Sequence, residues 1–140
     1  AAAVLAALDG WPHAEVAIYN RTAHRATAVA ARARVAVRVA ATAEDAVDGA
    51  TCVVNATTIG MTSDDHPVRL DAVPAGAAIL DLVIRRGETS WVRDARARGH
   101  RASDGLPMLL EQGALAFERW FAIAAPREVM RDAMRVAVAL

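Results

Sequence analysis

Three clusters in this sequence carry side chains of the right type and spacing for chemistry. The first is Asn20-Arg21-Thr22, with Arg25 following, directly after the apolar run Val16-Ala17-Ile18-Tyr19. β-Branched and aromatic members suit that run to a buried strand. A strand that stops in a polar turn before a helical pattern, here from Ala23, is half of a βαβ unit. At such a strand end an acid accepts hydrogen bonds from a ribose 2′-hydroxyl and selects NAD. A neutral residue followed by an arginine accommodates a 2′-phosphate and selects NADP. Asn20 then Arg21 is the second pattern, and a guanidinium fork matches phosphate geometry with two parallel charge-assisted bonds. The same residues also read as an ordinary turn with an asparagine or threonine cap.

The second cluster is Val53-Val54-Asn55-Ala56-Thr57-Thr58-Ile59-Gly60-Met61. A strand ends at Asn55 and a glycine-containing turn follows, so a ligand can approach the backbone. Asn55 and Thr57 offer side-chain hydrogen bonds and Met61 an adaptable apolar surface. The alternative is a buried asparagine that satisfies loop backbone groups. The third cluster runs from Asp104 to Ala114. Gly105 precedes a helix and leaves room for a flat ring against the backbone. Gln112 lies two helical turns on, near the same face, with an amide that both donates and accepts. Alone, it reads first as an ordinary exposed helical glutamine.

These clusters need a scaffold, and the composition bounds it. The 140 residues are enough for one domain with a real core. Hydrophobic residues make up 55% of the chain and aromatics 4%, so Ala, Val, Leu and Ile must build that core. The formal net charge is zero, which gives no electrostatic footprint for nucleic acid. All 16 basic residues are arginine, which excludes lysine chemistry within this chain. The single Cys52 sits in an apolar run and reads as a small buried hydrophobe. No run of about 18 apolar residues indicates a membrane span, and the expected location is the cytoplasm.

Strand patterns fall at 15–19, 35–39, 51–55, 77–83 and 100–102. Helical patterns fall at 1–8, 23–34, from Thr42-Ala43-Glu44-Asp45 to about 47, at 88–98, 106–121 and from Pro126 to about 138. Alternating strands and helices predict an α/β fold with a parallel sheet covered on both faces.

Taken together, Asn20-Arg21-Thr22-x-x-Arg25, Val53-Val54-Asn55-Ala56-Thr57-x-x-Gly60-Met61, Asp81-Leu82-Val83 and Asp104-Gly105-Leu106-x-Met108-Leu109-x-x-Gln112-Gly113-Ala114 resemble the shikimate dehydrogenase family in order and spacing. The resemblance covers essentially the whole chain. It implies a Rossmann-type doubly wound parallel sheet that lacks its first strand and glycine-rich loop, with C-terminal helices. Residues 1–105 would form the truncated NADP-binding domain. Residues 106–140 would pack toward an N-terminal substrate domain absent from this chain.

The implied activity is reduction of 3-dehydroshikimate to shikimate with NADPH. Asn20, Arg21, Thr22 and Arg25 would hold the adenosine 2′-phosphate, and Asn55, Thr57 and Met61 would line the cofactor. Leu82 and Gly105 would lie on the nicotinamide side, and Gln112 and Ile84 would meet the substrate. A homodimer is a further expectation.

The chain also departs from the family pattern. The family's catalytic lysine and aspartate belong to the absent domain, so no catalytic residue is expected here and the chain alone should be inactive. Ala1 falls inside the helix that should follow the phosphate loop. Ile84 stands where the family usually has a tyrosine, and Pro107 replaces a frequent glycine. Ile84 leaves room for a relative acting on quinate or another cyclic polyol. Two other classes are a related Rossmann enzyme, such as a methylene-tetrahydrofolate dehydrogenase or a glutamyl-tRNA reductase, and a non-catalytic nucleotide-binding module. The Gln112 motif argues against the two enzymes, and the uncapped helix at Ala1 against the module. The usual strand order, 3-2-1-4-5-6, predicts that the strands at Val16 and Val53 leave a gap or close on one another.

Overall fold

A computed structural model describes residues 1–139 of the chain. Its elements alternate as the patterning requires. They are α1 (Ala2–Leu8), β1 (Glu15–Ile18), α2 (Ala23–Ala30), β2 (Ala36–Val39), α3 (Ala43–Val47), β3 (Cys52–Asn55), β4 (Ala78–Asp81), α4 (Ser90–Ala97), β5 (Ala102–Ser103), α5 (Leu106–Phe121) and α6 (Arg127–Ala139). All strand pairs are parallel. β1 pairs with β2, in register Val16 to Val37. β3 pairs with β4, Val53 opposite Ile79, and β4 with β5. Among the described residues β1 and β3 share no ladder, so the sheet has two parts, β1-β2 and β3-β4-β5, which is the first of the two expected arrangements.

The main core lies on the larger part. Val53 and Ile79 from the strands meet Val47 of α3 and Trp91 and Ala95 of α4. Val68, Leu70, Val73 and Ala77 from the β3–β4 connection close the cluster. Burial of this apolar surface fixes α3 and α4 against the sheet. α5 and α6 form a helical hairpin turned by Ala122, whose φ of 55° is left-handed. Arg127 bridges the hairpin through Glu118 and Glu111.

Local sequence explains where elements begin and end. Thr42 caps α3 by accepting from the Asp45 N–H at 3.0 Å, and the Asp45 carboxylate accepts from the Ala41 N–H at 2.9 Å. The Thr42 bond is one half of a capping box, while the carboxylate reaches the N–H one residue before the cap instead of that of Thr42. α1 has no side-chain cap.

Three expectations need correction. α2 ends at Ala30 rather than Arg34. Ala31-Arg32-Ala33-Arg34 has no apolar side chain larger than a methyl to hold another turn on the sheet, and the backbone tightens there, with the Arg32 N–H on the Val29 carbonyl and the Ala33 N–H on the Ala30 carbonyl. β4 ends at Asp81 rather than Val83, because the Asp81 carboxylate takes the Val83 N–H at 3.1 Å. Cys52 is exposed, not buried. It opens β3 on the face opposite Val53, and only the Val53 side carries the packed core.

Candidate functional site

Parallel strands of an open α/β sheet put their carboxyl ends, and the loops after them, on one rim, where ligands bind. Here that rim carries Asn20–Arg25 after β1, Asn55–Met61 after β3, Leu82–Arg85 after β4 and Asp104–Gly105 after β5.

At the β1 end the Asn20 side chain shapes the turn, its Oδ1 accepting from the Thr22 N–H at 2.8 Å. Thr22 occupies the N-cap position of α2 but makes no side-chain cap bond. Arg21 and Arg25 are exposed and make no side-chain hydrogen bond or ion pair among the described residues. The first turn of α2 carries no acid, whereas that of α3 carries Glu44 and Asp45. Free helix N–H groups and the macrodipole make a helix start favourable for anions and unfavourable for cations. Two unpaired guanidiniums there are a local electrostatic cost that an anion offsets.

The β3 end works differently. Asn55 is 3% exposed. Its Nδ2 donates to the Ile59 carbonyl at 3.1 Å and to Asp81 Oδ1 at 2.9 Å. Its Oδ1 accepts from the Thr57 N–H at 3.1 Å and from the Thr57 hydroxyl at 2.7 Å. All four hydrogen-bonding positions of the amide are thereby used. The Thr57 hydroxyl also accepts from the Ile59 N–H at 3.1 Å. The expectation of ligand hydrogen bonds from these two side chains therefore needs correcting: both are committed to coiling their own loop. Gly60, at φ +91°, completes the coil in a conformation that favours glycine. Met61 and Ile59 stand exposed on it.

The loop is pinned from outside as well. Arg85 Nη1 donates to the carbonyls of Gly60 and Ser63 at 3.1 and 2.9 Å and lies 3.3 Å from an Asp64 carboxylate oxygen. The Ser90 hydroxyl donates to the Asp64 carbonyl. Sequence reasoning gave Arg85 no role. Nothing local distinguishes it from the solvated arginines around it, and its partners lie more than twenty positions away.

The segment after β4 meets the start of α5 closely. A Cβ on Gly105 would stand 2.8 Å from the Leu82 carbonyl oxygen and 3.1 Å from Ile84 Cγ1. Gly105 is thus a glycine because backbone fills its open side. That contact brings Leu82, Ile84 and the start of α5 together, and it gives a different reason for the glycine than room for a ring. The Asp104 carboxylate accepts from the Leu106 N–H at 3.1 Å and so caps α5. Gln112 is exposed, and its Nε2 makes a single long bond to the Leu109 carbonyl at 3.3 Å. Met108 and Leu115, one turn either way on the same stripe, are also exposed. Two shallow grooves of about 340 and 330 Å³ lie where α6 passes the start of α5, and neither contains Arg21, Asn55 or Gln112. The rim residues therefore form one wall of a site rather than a closed pocket.

Residues 105–135 match the family model described as "Shikimate 5'-dehydrogenase C-terminal domain". The NADP(+)-type shikimate dehydrogenase of Natronomonas pharaonis is 43% identical over 122 residues, which are 86% of this chain and 46% of that protein. This chain belongs to the shikimate dehydrogenase family and corresponds to its C-terminal portion. A Thermus thermophilus shikimate dehydrogenase, solved with NADP(H) and shikimate, superposes with a TM-score of 0.75 at 36% identity, covering 89% of this chain and 47% of that one. The Corynebacterium glutamicum quinate dehydrogenase, solved with NAD, gives a TM-score of 0.84 at 26% identity, covering 96% and 51%. The chain thus spans about half the length of the shikimate dehydrogenases it matches.

Proposed function

We propose that this chain is the NADP-binding, C-terminal part of a dehydrogenase that reduces 3-dehydroshikimate to shikimate, and that it is inactive alone. The observation that carries the cofactor assignment is the unpaired pair Arg21 and Arg25 at an acid-free helix start, at the strand end where the adenosine ribose lies in dinucleotide folds. This is the donor set a 2′-phosphate requires. Asn20 holds the turn and Thr22 completes it. NADPH, when bound, supplies a hydride to the substrate carbonyl. Leu82 and Gly105, packed on one another, form the wall on the nicotinamide side, with Met61 as the apolar contact across the rim. Asn55 and Thr57 contribute by holding their loop in shape. Gln112 presents its amide oxygen toward the substrate, and Ile84 meets the substrate as well.

Residues 106–140 pack toward an N-terminal substrate domain in this reading, and that domain supplies the acid–base groups. General acid–base help contributes typically about 10²–10⁴-fold, so the chain without it lacks measurable turnover.

The test is Arg21→Ala in the intact enzyme. A charge-assisted hydrogen bond is worth roughly 1.5–3 kcal/mol, or about one to two orders of magnitude in binding. The Michaelis constant for NADPH should rise by that factor while that for NADH stays nearly unchanged. Equal effects on both cofactors remove Arg21 from the phosphate site. A second reading, favoured by Ile84 at the usual tyrosine position, is a dehydrogenase of quinate or another cyclic polyol. Comparing turnover on shikimate and quinate separates the two.

A further inference from the structure

The least expected group in the rim is a carboxylate with no cation. Asp81 is 0% exposed at the end of β4, and it makes no ion pair among the described residues. Three donors surround it, each from a different place. Asn55 Nδ2 comes from the end of β3 at 2.9 Å, the Val83 N–H from the segment after β4 at 3.1 Å, and the Thr89 hydroxyl from the N-cap of α4 at 2.7 Å. Burying a carboxylate is costly unless such bonds compensate it. An aliphatic side chain, like that of Ile79 two residues earlier on the same face, would fill the position without that cost. What an aliphatic side chain lacks is direction.

Each of the three bonds has a geometric effect. The bond to Val83 draws that N–H out of the strand ladder, so the backbone turns after Leu82. The turned segment is the one whose Leu82 carbonyl and Ile84 side chain pack on Gly105. The bond to Asn55 orients an amide whose remaining three bonds coil residues 55–59. The bond to Thr89 anchors both to the start of α4, beneath a fully buried Trp91 and Val92. The two walls of the rim therefore share one joint.

We infer that Asp81 is a positioning residue, which sets the placement of Asn55–Met61 relative to Leu82–Ile84 and so the distance between the two walls of the site. It touches neither cofactor nor substrate. The inference rests on the dehydrogenase reading above for its kinetic consequence, though not for its structural one.

Three variants of the intact enzyme test it: Asp81→Leu, Thr89→Val and Thr89→Ser. Asp81→Leu removes the acceptor for Asn55, Val83 and Thr89 at similar volume. Thr89→Val removes one of these bonds from the other side and preserves shape. Misplacing reacting groups by about 1 Å costs on the order of 10²-fold in rate, so kcat/KM with NADPH should fall by about 10–100-fold in both. Thr89→Ser, which keeps the hydroxyl, should restore it. Amide exchange should quicken at Thr57, Ile59 and Val83 in Asp81→Leu, but not at Ala40, which bonds the Ile18 carbonyl in the other sheet.

Folded Asp81→Leu and Thr89→Val enzymes with lowered stability but unchanged kcat and KM would overturn the inference. So would unchanged exchange at the three amides. An intact wild-type enzyme that does not reduce 3-dehydroshikimate with NADPH would instead sink the functional reading, and the exchange measurement then decides the role of Asp81 by itself.

Discussion

Replacing Gly105 by alanine separates close approach from conformational freedom. The backbone at Gly105 has φ −79° and ψ −5°, which alanine adopts without strain. Conformation alone would make the substitution favourable by about 0.4–1 kcal/mol, through the unfolded chain. The added methyl, however, would stand 2.8 Å from the Leu82 carbonyl oxygen, 3.0 Å from its carbon and 3.1 Å from Ile84 Cγ1. Two of those three atoms are backbone and cannot rotate away. Forcing an extra carbon into packed surroundings costs typically about 1–3 kcal/mol, so the clash wins and Gly105→Ala should destabilise by about 1–2 kcal/mol.

Gly113 on the same helix supplies the control. Its added methyl would meet only the Met130 Cε, at 3.4 Å, the far end of a flexible side chain. Alanine in a helix interior is better than glycine by about 0.8–1.0 kcal/mol, so Gly113→Ala should stabilise by about 0.5–1 kcal/mol. Urea unfolding measures both, with slopes of about 1–3 kcal/mol per molar that place the two midpoints on opposite sides of the wild type. A Gly105→Ala midpoint at or above the wild-type value would refute the close approach of α5 to the β4 end.

Other substitutions have equally specific outcomes. Thr42→Ala should cost about 1 kcal/mol in the same unfolding assay, because the cap bond to Asp45 is made, while Thr22→Ala, at a cap position with no such bond, should be nearly neutral. Trp91 is fully buried with its Nε1 unpartnered, so Trp91→Phe sheds an unsatisfied donor while keeping most of the ring. It should fall within about 1 kcal/mol of the wild type, whereas Trp91→Ala should lose about 3–5 kcal/mol. Hydrogen bonds from Arg127, and then the Ala125 N–H, hold the Glu118 carboxyl below the usual carboxylate range. A carboxyl with a depressed folded pKa stabilises fully above its unfolded value, about 4.3, and loses that contribution as pH falls through the folded value. Glu118→Gln should therefore flatten stability against pH below about 4.3 and leave its shape near neutrality unchanged.

Periodicity was enough to locate the strands and the helices, because alternation of apolar runs with helical stripes is a local property. α5 runs over Leu106–Phe121, as its stripe requires. Ends that depend on distant partners were not legible. β4 stops where a carboxylate captures an N–H, and that carboxylate is stabilised by residues 26 and 8 positions away. The rim motifs were visible as types, yet what each does depends on contacts. Arg21 and Arg25 make no side-chain bond among the described residues, and Asn55 is spent on its own loop. Asp81 stood within a recognised motif, but a lone aspartate at a strand end carries no mark of burial. Cys52 misled because an apolar run says nothing of which sheet face is covered.

The divided sheet has a dynamic consequence. The densely packed cluster belongs wholly to β3, β4, α3, α4 and the loops between them, whereas the first 40 residues contribute only Leu5, Ala26 and Ala40 as buried apolar side chains. Such unequal packing predicts that β1, α2 and β2, tied to α3 through Arg38–Asp45, open below the global unfolding free energy. Arg21 and Arg25 sit on that part. In the dinucleotide-binding reading proposed above, affinity at this end is set partly by how often that part is closed, and binding energy is spent on order as well as on contact.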